Sequence, residues 1–238
     1  MTTDDFIAAA RAFDVLLDPA QCDAFETYYR ELVVWNARVN LTTITARDEV
    51  WVKHFLDSLS VAPSVRAARR VLDLGSGAGF PGVPLKIALP HLNLTLLEAT
   101  GKKVAFLQHL VAQLGLRDVA ILHARAEDAA HAAAQRTQYD AVVARAVAAL
   151  ATLVEYALPF VRVGGVFIAQ KGVAVDDEMR AATYACELLG GRWRAVVPAQ
   201  LPGLEQRHLV VVEKVAATPA QFPRRAGIPE RKPLMRYK

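Results

Sequence analysis

The sequence predicts an α/β fold on a mostly parallel, seven-stranded sheet, and three observations carry that prediction. From residue 69 onward, short apolar runs alternate with stretches of helical periodicity, the order that βα units impose on a chain. One run ends in the glycine-rich turn Gly75-Ser76-Gly77-Ala78-Gly79, where a strand hands over to a helix. The last two runs, over 193–197 and 208–214, have no helical stretch between them and predict a hairpin added to the parallel part. With 238 residues, 53% of them hydrophobic, and a mean hydropathy of +0.21, the chain has ample apolar material for a core and is not a disordered one.

Residues 1–65 read as a helical extension, with helices over 4–13, from 19 to about 35–37, and over 48–61. Asp18 followed by Pro19 is a helix start: the carboxylate caps free amides, and proline suits the first helical position. Strands are expected over 70–74, 92–97, 119–122, 139–144 and 166–170, then the hairpin pair. Helices near 83–88, 102–114, 126–134 and 150–160 fall between the first five strands, and one over 176–189 is closed by Gly190-Gly191. This order, with 66–217 as the core, matches the Rossmann-like domain of class I S-adenosylmethionine-dependent methyltransferases better than an all-parallel dinucleotide fold.

The formal net charge of +4 is unevenly spread. Residues 218–238 hold six bases (Arg224, Arg225, Arg231, Lys232, Arg236, Lys238) and one acid, Glu230, leaving 22 bases against 23 acids elsewhere. Four prolines in the same stretch predict an extended basic arm, able to bind phosphates, with Phe222 and Tyr237 as stacking surfaces for bases. No apolar run approaches the ~20 residues of a bilayer crossing. The acidic start Met1-Thr2-Thr3-Asp4-Asp5 resembles no export signal, and Cys22 and Cys186 lack CxxC spacing. A cytoplasmic monomer with free thiols, no membrane partner and no metal is expected.

The glycine turn follows Asp73, and its spacing, Gly75-x-Gly77-x-Gly79, is not the G-x-G-x-x-G of dinucleotide sites. An acid at that point disfavours a diphosphate and suits the cationic methionine end of S-adenosylmethionine. Glu98, at the end of the second strand, stands where a carboxylate accepts both hydroxyls of a ribose. Ala126-Glu127, after the third strand, stands where an adenine edge would be read. Asp73, the three glycines, Glu98, Ala126 and Glu127 together describe a pocket for S-adenosylmethionine at the carboxyl ends of adjacent strands.

The fourth strand ends in Val143-Ala144-Arg145-Ala146, without the Asp/Asn-Pro-Pro-aromatic motif of amino-group methyltransferases, and neither cysteine follows a proline as a cytosine-C5 enzyme requires. Transfer to an atom with an available lone pair, or to a group needing modest activation, remains; guanine N7 is an atom of the first kind, for which positioning supplies most of the catalysis. Arg145 and, on the same rim, Lys171 are the candidate catalytic residues. Arg145 suits a carboxylate, a phosphate or a guanine O6, or else pairs with an acid for structure.

Several blocks agree in order and spacing with one family. Asn36-x-x-x-Asn40-Leu41-Thr42, His54-Phe55-Leu56-Asp57-Ser58-Leu59, Gly79-Phe80-Pro81-Gly82-Val83-Pro84, Leu97-Glu98, Arg125-Ala126-Glu127, Arg145-Ala146, Lys171-Gly172 and Phe222-Pro223-Arg224-Arg225-Ala226-Gly227-Ile228-Pro229 resemble the bacterial RsmG (GidB) family. These are methyltransferases of guanine N7 in small-subunit ribosomal RNA. The resemblance covers residues 36–234 and implies S-adenosylmethionine as donor and a guanine of the 16S decoding-region loop as acceptor, in rRNA or a 30S particle. It implies cofactor contacts from Gly75, Phe80, Ala126, Glu127 and Arg145. Asn40, His54, Arg207, Arg224 and Arg225 are the candidates for RNA contact, with His54 alternatively a cap between helices. A small-molecule methyltransferase and a non-catalytic RNA-binding protein on the same fold are the competing readings; the basic tail opposes the first, and the intact acids and glycines oppose the second.

Overall fold

The computed structural model describes residues 1–173 and 175–235. Its seven-stranded sheet has the order β3-β2-β1-β4-β5-β7-β6. β1 (Arg70–Leu74) runs parallel to β2 (Asn93–Glu98) and β4 (Tyr139–Arg145), with β3 (Val119–His123) beyond β2 and β5 (Val161–Lys171) beyond β4. β7 (Arg207–Lys214) is antiparallel to β5 and forms the expected hairpin with the edge strand β6 (Gly191–Ala199). The central strands are covered on both faces, which is why Val71-Leu72 and Ala141–Ala144 read as unbroken apolar runs rather than alternating ones.

Two elements differ from expectation. β5 begins five residues before 166, because the chain continues extended through Gly164-Gly165. A Cβ at Gly165 would lie 2.7 Å from the Asp140 carbonyl oxygen, so the close strand approach needs glycine there. The helix expected over 126–134 is only α8 (Ala126–Ala129). The Arg136 guanidinium draws in the carbonyls of Ala130, Thr218, Pro219 and Phe222, and the chain turns despite its alanines.

The first 65 residues form α1 (Thr3–Ala10), α2 (Pro19–Asn36), and a helical run of α3 (Arg47–Val50), a π-helical stretch Trp51–Leu56 and α4 (Asp57–Leu59), followed by α5 (Ala62–Val65). Asp18 and Gln21 make a reciprocal capping box at the start of α2. Phe6, Phe25, Tyr28, Trp51 and Phe55 interlock by edge and tilted contacts. They belong to the same apolar cluster as Val71 of β1 and Val83 and Leu85 of α6 (Gly82–Ala88), so extension and sheet share one core. The layers are completed by α7 (Gly101–Gln113), α9 (Leu150–Ala157) and α10 (Val175–Leu188).

The C-terminal segment is not the projecting arm expected from its prolines. Phe222 is buried rather than offered for stacking, and residues 228–231 form the short helix α11 (Ile228–Arg231). Arg224, expected at RNA, is bound by its backbone amide and guanidinium to Glu155 of α9, whose side chain is fully buried. Thr152 Oγ1 donates to the Pro229 carbonyl, and the Gly227 amide donates to Glu127. Only Arg225 of the two candidate tail arginines is exposed. Arg236, Tyr237 and Lys238 lie outside the described residues.

Removing Arg224 would strand a carboxylate in the core, and breaking such a pair costs about 3–5 kcal/mol. Arg224→Ala is therefore expected to lower unfolding free energy by an amount near that range in urea titration and to speed tryptic cleavage after Arg225 and Arg231, whose side chains are already exposed on a backbone that Arg224 holds in place. Unchanged stability and unchanged cleavage would show that Glu155 does not hold this segment.

Candidate active site

The carboxyl ends of β1, β2, β3, β4 and β5 open on one rim, the place where an open α/β sheet leaves a crevice. Two cavities lie along it. One, of about 220 Å3, is lined by Gly75, Glu98, Ala126, Glu127, Val147, Tyr156 and Glu230, among others. The other, of about 320 Å3, is lined by Lys53, His54, Asp57, Arg145, Gln170, Lys171 and Arg207, among others. The turn that leaves β4 divides them: Arg145 and Ala146 face the second, Val147 and Ala148 the first. Ala146 sits at φ +55°, a left-handed conformation that an L side chain rarely adopts.

In the first cavity Gly75 has φ +71°, and a Cβ there would lie 2.8 Å from Val147 Cγ2, so only glycine keeps this wall open. Glu98 accepts from the Gly77 amide at 2.9 Å and the Thr100 amide at 2.7 Å. Those bonds fix its carboxylate beneath the glycine turn and leave each oxygen a further lone pair. Glu127 accepts from the Gly227 amide, and Tyr156 stands beside it. Burial, then the neighbouring Glu127 and Glu230 carboxylates, push the Tyr156 phenol up to about 12. Glu127 is thus as much an anchor for the C-terminal segment as a wall of the cavity.

Asp73, Gly77, Gly79 and Phe80 do not line this cavity. Asp73 is fully buried behind the turn, its Oδ2 accepting from the Gly82 amide at 2.9 Å and its Oδ1 without a partner among the described residues. Gly79, at φ +98°, makes room for the Tyr28 hydroxyl, which a Cβ would approach to 2.7 Å. That hydroxyl donates to the Ala78 carbonyl, and the Tyr28 ring stacks on Phe80. Phe80 is therefore a platform inside the protein, with His54 stacked at 4.5 Å and the Arg145 guanidinium 4.8 Å from its centroid.

Arg145 belongs to the second cavity, and its resting partners are those of a structural pair. Nη1 donates to Asp57 Oδ2 at 2.8 Å and to the Lys53 carbonyl at 3.1 Å. Nη2 donates to His54 Nδ1 at 3.3 Å, which leaves Nε2 to carry the proton and donate to Thr42 Oγ1 at 2.8 Å. Burial first, and then the Arg145 charge, push the His54 pKa down to about 3, so the imidazole is neutral. Lys171, expected to be catalytic, braces the rim: Nζ donates to the Ala148 carbonyl at 2.8 Å and to Glu178 at 2.7 Å, while Glu178 also accepts from the Leu150 amide. Arg207 has no hydrogen bond or ion pair with any described residue and lines the same cavity. Asn40 is exposed on the loop after α2, away from both cavities.

The sequence reading missed Gln170, Tyr156 and Glu230 as lining residues. Gln170 is the polar residue that precedes Lys171 at the end of β5, and a buried amide at a strand terminus was the available signal. Glu230 had none, because only the folding back of the C-terminal segment brings it to this cavity, and Tyr156 is one aromatic among the apolar residues of α9 with nothing in its spacing to mark it. Among the described residues no helix is long and apolar enough to cross a membrane.

A family model described as rRNA small subunit methyltransferase G (GidB) matches residues 21–210. The protein named ribosomal RNA small subunit methyltransferase G from Roseiflexus castenholzii is 52% identical over 98% of this chain and 100% of its own length. Its namesake from Dehalococcoides mccartyi is 48% identical, again over 98% and 100%. Among solved structures, an O-methyltransferase from Bacillus cereus in complex with SAH is similar at a TM-score of 0.59 and 18% identity, covering 90% of this chain and 100% of that one. TYW2 from M. jannaschii in complex with AdoMet is similar at 0.51 and 13%, covering 67% and 77%. The two structures establish the class I methyltransferase fold, and with the sequence matches running nearly end to end, the chain belongs to the rRNA small subunit methyltransferase G (GidB) family.

Proposed function

We propose that this chain transfers a methyl group from S-adenosylmethionine to N7 of a guanine in the decoding-region loop of 16S rRNA, acting on the rRNA or the 30S particle as a cytoplasmic monomer. The observation that carries the reading is the pair of adjacent cavities of opposite charge. Glu98, Glu127 and Glu230 line one, with Arg125 as its base; Lys53, Arg145, Lys171 and Arg207 line the other, with Asp57 as its acid. Three carboxylates fit a ligand rich in donors, with a ribose diol, an adenine amine and a net positive charge, and oppose a diphosphate. Four cations fit a phosphate-bearing acceptor, for which a small uncharged metabolite has no use.

When bound, S-adenosylmethionine supplies an electrophilic methyl group, and guanine N7 offers it a lone pair with no proton to lose. Glu98 is placed to accept ribose hydroxyls with the lone pairs its two amide bonds leave free. The Gly75 backbone and Ala126 supply walls without bulk. N7 needs no base, and His54, the one imidazole lining the second cavity among the described residues, is held neutral and hydrogen-bonded on both nitrogens. The chain's contribution is to place the two ligands and exclude water.

Incubation with tritiated S-adenosylmethionine and small subunits lacking the modification is the test, with base analysis of the product. The expected label is 7-methylguanine at a single site, and none on subunits already modified. Label on another base, or only in a metabolite, would contradict the assignment.

Asp73 lies behind the glycine turn, where a cation in the first cavity would meet its field. Burial pushes its pKa up to about 7, against the pull of the Gly82 amide and Arg145. A carboxyl raised in the folded state binds more protons there than in the unfolded chain between about pH 4 and 7, so its contribution to stability is lost as pH rises through that window. Asp73→Asn should match the wild type more closely at pH 5 and exceed it at pH 8, by at most about 1.4 kcal/mol per unit of pKa difference. Urea unfolding at both pH values checks this, and an equal gap at the two would show that Asp73 does not titrate there.

A further inference from the structure

The basic cavity contains two acceptors that its cations do not account for. Gln170 is 7% exposed, and its Nε2 donates to the Asp57 backbone carbonyl at 2.7 Å. That bond fixes the amide orientation, since the flipped form would set oxygen against oxygen. Gln170 Oε1 is then a buried acceptor with no partner among the described residues, in a side chain that lines the cavity. Buried acceptors are rarely left unpaired in a folded protein, so a ligand donor is the natural complement. Beside it, Asp57 gives Oδ2 to Arg145, while Oδ1 has no partner among the described residues.

We infer that Asp57 and Gln170 read the acceptor base as guanine, by accepting its N1–H and its exocyclic N2 amine, with Arg145 donating to O6. The inference rests on the proposed guanine acceptor and names the residues that select it. Guanine presents two neighbouring donors, N1–H and N2–H2, beside an acceptor oxygen. Adenine and cytosine present an unprotonated ring nitrogen next to their amine, and uracil flanks a single donor with two carbonyls. A carboxylate and an amide oxygen in one cavity, on residues joined by the Gln170 Nε2 bond to the Asp57 carbonyl, with a guanidinium bonded to that carboxylate, complement the guanine edge alone. Holding the base by this edge leaves N7 free, whereas a guanidinium gripping O6 and N7 together would block the acceptor. Arg145 is kept from that grip by Asp57, the Lys53 carbonyl and His54, which fix both of its terminal nitrogens. Asp57 and Gln170 are thus specificity residues on a cavity whose cations hold the backbone.

The test uses the full chain saturated with S-adenosylhomocysteine and three mononucleotides of equal charge: guanosine, inosine and adenosine monophosphate. Saturation-transfer NMR titration gives their relative affinities. Inosine lacks only the exocyclic amine, so it should bind about tenfold more weakly than guanosine monophosphate, the scale of one hydrogen bond to a carboxylate or buried acceptor. Adenosine monophosphate should bind more weakly still. Gln170→Leu keeps the volume of the side chain but removes the unpaired oxygen together with the Nε2 bond to the Asp57 carbonyl; Tm should fall by a few degrees, the scale of one lost buried hydrogen bond, while the folded variant loses the preference for guanosine over inosine. Asp57→Asn, at the acceptor of N1–H next to Arg145, should instead lose the preference of guanosine and inosine over adenosine monophosphate, since both of those carry N1–H and adenine does not. Equal affinities for the three nucleotides, no binding by any of them, or a preference that survives Gln170→Leu would overturn the assignment. Methyl transfer to small subunits by the wild type, scored separately, distinguishes failure of this assignment from failure of the parent reading: transfer without base preference leaves the methyltransferase and removes the reader.

Discussion

A guanidinium that is 13% exposed must be surrounded by acceptors, and the Arg145 side chain finds them in parts of the chain that are far apart in sequence. Asp57 and the Lys53 carbonyl come from the helical extension, as does the neutral nitrogen of His54, while the face of Phe80 comes from the glycine turn. The arrangement is mutually enforced. Burial first, and then the cation, keep His54 unprotonated, and an unprotonated His54 can accept from the cation while donating to Thr42, which in turn accepts from the Ile44 amide. Extension, glycine turn and the end of β4 are thereby fixed relative to one another, and the wall between the two cavities follows from that registration.

On either side of this wall the charges sort themselves by how they are anchored. Two of the three acids of the first cavity are fixed by backbone amides: Glu98 by Gly77 and Thr100, Glu127 by Gly227. Carboxylates satisfied in this way can still accept from a ligand. In the second cavity Lys171 is held by Glu178 and a carbonyl, Arg145 by Asp57, and Lys53 pairs with Glu49, whereas Arg207 is unpaired among the described residues. Positioned cations, rather than mobile ones, suit a site whose chemistry is placement.

Much of this was legible from residues. The succession of seven strands and the mixed character of the sheet followed from apolar runs and the missing helix before β7, and Asp18-Pro19 marked the start of α2 because capping is local chemistry. Gly75, Glu98, Ala126 and Glu127 were readable as one site because strand ends in a parallel sheet converge. Phe80 and Gly79 were not, since nothing in the turn itself says that Tyr28, some fifty residues earlier, fills the space beneath it. The C-terminal segment misled for a similar reason. Its prolines and bases describe a solvated arm in isolation, and only the buried Glu155, the Arg136 guanidinium and Glu127, all distant in sequence, turn it into part of the wall of the first cavity.

A double-mutant cycle between Asp57 and Arg145, read as the rate of methyl transfer to unmodified small subunits and as unfolding free energy, addresses the seam directly. If the pair sets the registration of the two cavities, Asp57→Ala, Arg145→Ala and the double variant lose activity to a similar degree, with a coupling of about 1–3 kcal/mol in both readouts. Losses that add within about 0.5 kcal/mol would mean that the two residues act independently and that something else holds the wall.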